Sequence, residues 1–303
     1  MTLELRSGRI DPMAGERLVS SPRQLTLIER KSGSDAVTFH HTGMGQAASF
    51  TLREPERISL PRYLDYDPRC VEAADLNNIL RYAHIYHSRS INLYKLRKYG
   101  SESGNETWLS NLGENLWSVL RNLQGRRAVD DRYDTILKYM ARAFPTFRDL
   151  VLEATGPTVV YGSFVERGLK DPIRASGVSD GHIQMLWFLT ALFADRSDRH
   201  TLLMFDEPEL SLHPWALAVI AEAVEAAAGE RQRQVLLSTH SPVLLGQFDA
   251  SQILAVEPGA NGTRIRRLSE LEDIRGLLEQ YSPGSLYMAE LVGAQSQAVA
   301  AEN

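Results

Sequence analysis

Asp206 and Glu207 stand side by side at the end of the run Thr201-Leu-Leu-Met-Phe-Asp-Glu-Pro. Four apolar residues of this kind predict a buried strand, and open α/β sheets place their ligands at the C-terminal ends of strands. Two carboxylates at that point suit two tasks. One holds Mg²⁺, directly or through water. The other orients and deprotonates an attacking water. The plainer alternative is a strand that ends in a solvated acidic turn.

Two further runs carry chemistry. In Val178-Ser-Asp-Gly-His-Ile-Gln, Ser179 and Gly181 offer a hydroxyl and bare backbone N–H groups at a helix start, where the helix dipole favours an anion. An ordinary cap by Ser179 or Asp180 is the bland reading, and alone it would win. In Val235-Leu-Leu-Ser-Thr-His-Ser-Pro, a second apolar run ends at His240 and Pro242 opens a helix. An imidazole there can hydrogen-bond a terminal phosphate, or make only a local turn contact.

The elements that must position these groups follow from periodicity. Residues 1–60 alternate apolar and polar over Thr2-Leu-Glu-Leu-Arg, Gln24-Leu-Thr-Leu-Ile, Ala36-Val-Thr-Phe-His and Ser49-Phe-Thr-Leu-Arg. The turns Ser7-Gly8, Ser32-Gly33-Ser34-Asp35 and Thr42-Gly43 separate them, which predicts an antiparallel meander. Helical spacing covers 74–85, 109–123 and 133–144. Strand-like alternation returns over 147–170. From 171 the pattern is α/β, with helices at 179–194, 214–228 and 242–246 and strands at 201–205, 235–238 and 252–256. Apolar strands alternating with helices predict a parallel sheet covered on both faces.

Composition bounds the rest. At 43% apolar and 23% charged, the 303 residues have the balance of a globular chain with a sizeable core. A net charge of −5 leaves nucleic-acid contact to a local patch. The single cysteine, Cys70, excludes an internal disulfide and reads as structural. The first residues lack the apolar core of a secretory signal, and no run reaches the ~18 apolar residues of a membrane span. The expected location is the cytoplasm, with no membrane partner.

In their order and spacing, the three runs together resemble the signature, Walker B, D-loop and switch-histidine set of ABC-type ATPases. Phe-Asp-Glu-Pro-Glu-Leu-Ser-Leu-His-Pro (205–214), the Ser-Asp-Gly signature and Leu277-Leu-Glu-Gln-Tyr-Ser-Pro-Gly-Ser-Leu-Tyr-Met point to the SMC/RecF/OLD-like branch of bacterial AAA-labelled ATPases. The resemblance implies a P-loop-NTPase-like (ABC-ATPase) α/β fold: a parallel sheet with an antiparallel β-layer and a helical lobe, N-terminally truncated. Its parts would be the β-layer at 1–70, the helical insertion at 71–146 and the ATPase core at 147–303. It implies ATP and Mg²⁺ as cofactors. Asp206 would coordinate the metal, Glu207 would act as general base, and His240 would sense the γ-phosphate. Ser179, Asp180 and Gly181 would contact nucleotide held by a second head. Ser211, Leu212 and His213 fall on the D-loop, where His213 departs from the Asp of transporter-type loops, and Asp180 replaces the second signature glycine.

A phosphate-binding loop needs G-x-x-x-x-G-K-[ST], and the sequence contains no Gly-Lys pair. Gly43-Met-Gly-Gln and Gly100-Ser-Glu-Ser-Gly-Asn both lack the lysine. The expectation is that the chain begins downstream of that loop and binds ATP poorly alone. Losing two charge-assisted bonds of ~1.5–3 kcal/mol each weakens binding about a hundredfold or more.

Three readings compete. The first is an ATPase head in a homodimer or heterodimer, passing its closure to DNA or an effector protein in DNA repair or phage defence. The second is a non-catalytic scaffold subunit without a P-loop, acting by protein contacts. The third, an OLD-type nuclease, would need an acidic metal-binding domain that the residues after the last strand are too few to form. Weaker signals remain. Tyr94-Lys-Leu-Arg-Lys-Tyr mixes cations and aromatics as a phosphate- and base-contacting surface does, though a solvated helix face is the commoner outcome. Arg121, Arg126 and Arg127 read as a helix end, and Trp108 and Trp117 as packing inside the helical block; His84 and His87 are spaced as a metal pair but lack a third ligand, which argues against a metal site there.

Overall fold

The computed structural model describes residues 2–292 other than 4, 7–8, 11–14, 21–23, 32–33, 54–57, 196–201, 231–232 and 260–261. Glu4, the turn residues Ser7-Gly8 and Ser32-Gly33, and Thr201 therefore lie outside the described residues. The chain packs as two units, Met1–Ala83 and His84–Asn303.

In the first unit, short strands β1 (Thr2–Leu3), β2 (Leu5–Arg6) and β3 (Arg9–Ile10) precede β4 (Glu16–Ser20), β5 (Leu25–Arg30), β6 (Ala36–His40) and β7 (Ala47–Thr51). Five of them form the expected antiparallel sheet, in the order β1-β4-β5-β6-β7. Helices α1 (Leu60–Tyr66) and α2 (Val71–Arg81) follow. Leu27, Phe39, Leu60, Tyr63 and Cys70 share one core, so the cysteine is structural as expected. Strand β4 escapes a hydrophobic pattern because its inward positions include Glu16 and Ser20. A buried carboxylate is tolerable only when paired and hydrogen-bonded. Glu16 meets Arg30 at 3.5 Å and accepts from the Ser59 N–H at 3.0 Å and hydroxyl at 2.9 Å.

The second unit opens with strand β8 (His84–His87), helix α3 (Leu93–Lys98), strand β9 (Ser101–Glu102), and helices α4 (Leu116–Gln124) and α5 (Arg132–Ala143). Strands β10 (Phe147–Ala154), β11 (Val159–Glu166) and β12 (Ile173–Arg174) lead to helix α6 (Asp180–Phe193). Then come β13 (Leu202–Asp206), α7 (Pro214–Glu230), β14 (Gln234–Ser238), α8 (Pro242–Leu245), β15 (Leu254–Gly259), β16 (Gly262–Arg267), α9 (Glu272–Leu278) and α10 (Pro283–Met288).

The parallel sheet runs β14-β13-β8. An antiparallel sheet, β10-β11-β12 with β9 on β11, covers another side of the same core. Helix α6 is buried from Gly181 to Phe193 except at His182, the mark of a helix surrounded by protein. Its Trp187 and Phe188 pack on Phe205 of β13, and Tyr86 of β8 stacks on Phe205 at 5.2 Å.

Four expectations change. The helix read over 74–85 ends at Arg81, and residues 84–87 form a parallel strand, since Tyr86 is drawn between Phe205 and Trp187. The helical block is split, with α2 in the first unit and α4 and α5 sharing the core of α6. The strand expected at 252–256 does not join the parallel sheet: β15 pairs antiparallel with β16, and beside it Ile253, α9 and α10 pack around Leu268, Ile274 and Leu286. Trp117 is fully buried, but Trp108 is 45% exposed and leans on His84.

Candidate functional site

Strand register builds the site around the acidic pair. Asp206 is the last residue of β13, and it lies opposite His87 on one side and Ser238 on the other. Both neighbours reach its carboxylate. The Ser238 hydroxyl donates to Oδ1, and His87 Nδ1 lies 3.2 Å from Oδ2. The Ser238 hydrogen bond, then that of His87, holds the Asp206 carboxyl below the usual carboxylate range. It is therefore ionised at neutral pH, with its side chain half exposed.

Glu207 follows in a left-handed backbone conformation, φ 49°, which costs a non-glycine residue on the order of 1 kcal/mol or more. The Glu207 N–H donates to the Ser238 carbonyl at 3.0 Å, which fixes the turn. Its carboxylate is gripped by Arg89, with Nε at 2.8 Å and a terminal nitrogen at 2.7 Å.

His240 sits two residues beyond β14. Glu209 ties it to the acidic turn, accepting from the His240 N–H at 3.1 Å and from the Thr239 hydroxyl at 2.7 Å. The imidazole Nδ1 lies 3.1 Å from the Tyr287 hydroxyl. Tyr287 can reach it because α10 packs tightly on α8: a Cβ on Gly284 would lie 1.9 Å from the Pro242 carbonyl oxygen.

The Ser-Asp-Gly run sits at the start of α6. Ser179 does not cap the helix with its side chain; its hydroxyl lies 2.8 Å from His182 Nδ1. Asp180 pairs with Arg97 at 2.7 Å, and Arg97 also donates to the Val178 carbonyl at 2.6 Å. Gly181 lies against the backbone of Ser211, itself left-handed at φ 61°. His213 Nδ1 accepts from the Trp215 N–H at 3.3 Å at the start of α7.

The seven residues singled out from the sequence thus fall into two joined groups. Asp206, Glu207 and His240 are linked through Ser238 and Glu209, and the Ser179-Asp180-Gly181 run meets Ser211 through Gly181. Sequence reasoning missed Arg89, Ser238, Glu209 and Tyr287, and weighed His87 only as a metal pair with His84, a reading it set aside. Ser238, Glu209 and Tyr287 carried a signal, because all three fall inside phrases that define the resemblance; Arg89 carried none. His87 belongs to Asp206, while His84 stacks on Tyr86 at 6.0 Å.

The donors suit a hard divalent cation. An ionised carboxylate backed by a serine hydroxyl, half open to water, is oxygen chemistry of the kind Mg²⁺ takes with several waters retained. A triphosphate is less well provided for. Among the described residues, the ends of the three parallel strands offer the cation Arg89 after β8 and the imidazole His240 after β14, and no glycine-rich cradle with a lysine. No helix among the described residues is long and apolar enough to cross a membrane.

The family model described as "AAA domain, putative AbiEii toxin, Type IV TA system" matches residues 46–246. The Old nuclease of Escherichia phage P2 is 27% identical over 240 residues, 76% of this chain and 40% of that protein. Protein ea59 of Escherichia phage lambda is 34% identical over 74 residues, 24% of this chain and 14% of that protein. The chain thus spans well under half the length of the curated relatives it matches. A solved Smc head, bound to the C-winged helix domain of ScpA, aligns over 79% of this chain and 69% of its own at 14% identity and a TM-score of 0.43. The family match covers more than half of the chain and contains the acidic pair, the Ser-Asp-Gly run and His240, and so this chain belongs to that AAA-domain family.

Proposed function

We propose that the chain is a head of an ATP-dependent dimer in which Asp206 holds Mg²⁺, Glu207 positions and deprotonates the attacking water, and His240 reads the γ-phosphate. The observation that carries this reading is the register of β8, β13 and β14, which gathers His87, Asp206 and Ser238 at the C-terminal edge of a parallel sheet. Mg²⁺, when bound, would supply charge neutralisation at the phosphates. The protein's own part is to keep Asp206 ionised and to hold Glu207 beside it. In the present geometry Arg89 holds Glu207 through Oε2, which leaves Oε1 to accept a proton from water.

Ser179, Asp180 and Gly181 would face nucleotide bound by a second head, a copy of this chain or a related one, with Ser211 of the D-loop along the junction. The contact of Gly181 with Ser211 supports treating signature and D-loop as one surface. In this reading residues 147–303, joined by strand β8, supply the ATPase-core elements and 1–70 the antiparallel layer. The dimer would act on DNA or an effector in the cytoplasm, in repair or phage defence. The phosphate-binding loop, absent from this sequence, would come from another segment or chain. That same absence favours a second reading, a non-catalytic scaffold subunit.

The test is equilibrium binding of Mg²⁺-ATP to the purified chain carrying Glu207→Gln, alone and with a P-loop-bearing head. The expected result is negligible binding alone and nucleotide-dependent association with the second head. Association that ignores nucleotide would support the scaffold. Micromolar binding by the chain alone would refute the idea that the loop is supplied from elsewhere.

A further inference from the structure

The aromatic and basic run 94–99 does not form the evenly solvated helix face its composition suggests. Leu96 is fully buried, Lys95 pairs with Glu114 at 3.2 Å, and Arg97 is committed to Asp180. Tyr94, Lys98 and Tyr99 are left to line a cavity of about 570 Å³, between α3 and the sheet of β10 and β11. That volume falls within the ~300–1,000 Å³ of small-ligand sites.

Tyr94 and Tyr99 are 63% and 57% exposed, and their rings stand 5.9 Å apart at 75°. The Lys98 ammonium lies 5.3 and 5.4 Å from the two ring centres and 2.9 Å from the Tyr94 hydroxyl. Tertiary folding adds Arg174 to the wall. Neither Lys98 nor Arg174 has a carboxylate partner among the described residues, and Glu153 is the acidic side chain lining the cavity. Arg97 Nε, also in the wall, is buried without a hydrogen-bond partner. In a chain of net charge −5 this is a local cationic site faced with open aromatic rings.

A ligand that satisfies both features is planar, aromatic and anionic. Exposed tyrosine rings beside unpaired cations are the means by which unstacked bases and their phosphates are held, whereas a duplex keeps its base faces covered. We propose that this cavity binds a segment of single-stranded nucleic acid, with bases on Tyr94 and Tyr99 and phosphates at Lys98 and Arg174. Arg97 joins the cavity wall to Val178 and Asp180, so an occupied cavity bears directly on the start of α6. Binding itself needs no ATP, and the inference stands or falls apart from the ATPase reading.

The experiment is fluorescence anisotropy with the full chain, without nucleotide, using a labelled oligothymidylate of about twenty residues. A matching duplex and unlabelled thymidine monophosphate serve as competitors. The single strand is expected to bind, to resist both competitors, and to weaken with salt. Tyr94→Ala with Tyr99→Ala should lower affinity about tenfold or more, and Tyr94→Phe with Tyr99→Phe should retain it. Lys98→Ala with Arg174→Ala should lower the logarithmic salt slope by about 1.4, two phosphate contacts on a single strand. Lys138→Ala on α5, a control outside the cavity, should bind as the parent does. All four cavity side chains are exposed, so unchanged melting curves are expected and serve as the folding check. No binding, equal loss in the control, duplex binding as tight as single-strand binding, or displacement by the mononucleotide would each overturn the proposal.

Discussion

A methyl group on Gly181 would lie 2.6 Å from the carbonyl oxygen of Ser211. Gly181 is in the first turn of α6, where alanine is ordinarily better than glycine by up to ~1 kcal/mol. Here the sign reverses, because the obstacle is backbone already held at φ 61°. Gly181→Ala should destabilise the protein by about 1–3 kcal/mol, read as a lower denaturant midpoint with an unchanged slope. A neutral or stabilising result would mean that the α6 start and the 209–212 turn do not pack as described.

Ser238 is the main reason that Asp206 titrates low. A carboxylate with a depressed folded value adds stability above its unfolded value, about 3.9, and that stability is lost as pH falls through the folded value. Ser238→Ala should move the Asp206 titration up, toward the ordinary range, and narrow that window from below. Carbon-detected NMR of the Asp206 carboxyl measures it. His87→Phe should give a smaller shift in the same direction.

His182 titrates the other way. Its ring stacks on Phe144 at 3.8 Å, and burial depresses its value against the weaker opposing pull of Glu166. The unfolded chain takes up the proton first, so the stability tied to neutral His182 is complete above about 6.5 and declines as pH falls below it. Unfolding free energy measured from pH 8 to pH 5 should fall over the acidic half of that range in the parent protein. The decline should be shallower in His182→Gln.

Trp117 holds α4 against two neighbours. Its indole N–H donates to the Leu96 carbonyl of α3 at 3.0 Å, and its ring fills the space over Gly162, where a Cβ would meet it at 2.2 Å. Trp117→Ala should cost about 3–5 kcal/mol. Gly162→Ala should also destabilise, by overpacking, and the two changes should be non-additive in a double-mutant cycle because they share one contact. Strict additivity would contradict this packing.

Much of the layout was legible beforehand. The antiparallel meander, helices α5, α6 and α7, and strands β13 and β14 follow from local apolar periods, which short windows of sequence contain. The placement of Asp206, Glu207 and His240 at or just beyond strand ends was legible because residue type and position at a strand end are also local. Strand β8 was misread because four residues are too few to separate a period of two from the tail of a helix.

What the chain order by itself determined, then, is the set of elements and the acidic, signature and histidine runs at their ends. Only the tertiary structure decided which side chains surround them. His87 is 119 residues from Asp206, and Arg89 is 118 from Glu207. Such pairs arise from parallel-strand register, fixed by how Tyr86, Phe205 and Trp187 pack. The same holds for Arg174, which reaches the cavity beside α3 because β12 pairs with β11. Packing of this kind depends on the shapes of distant side chains together, and no local pattern carries it.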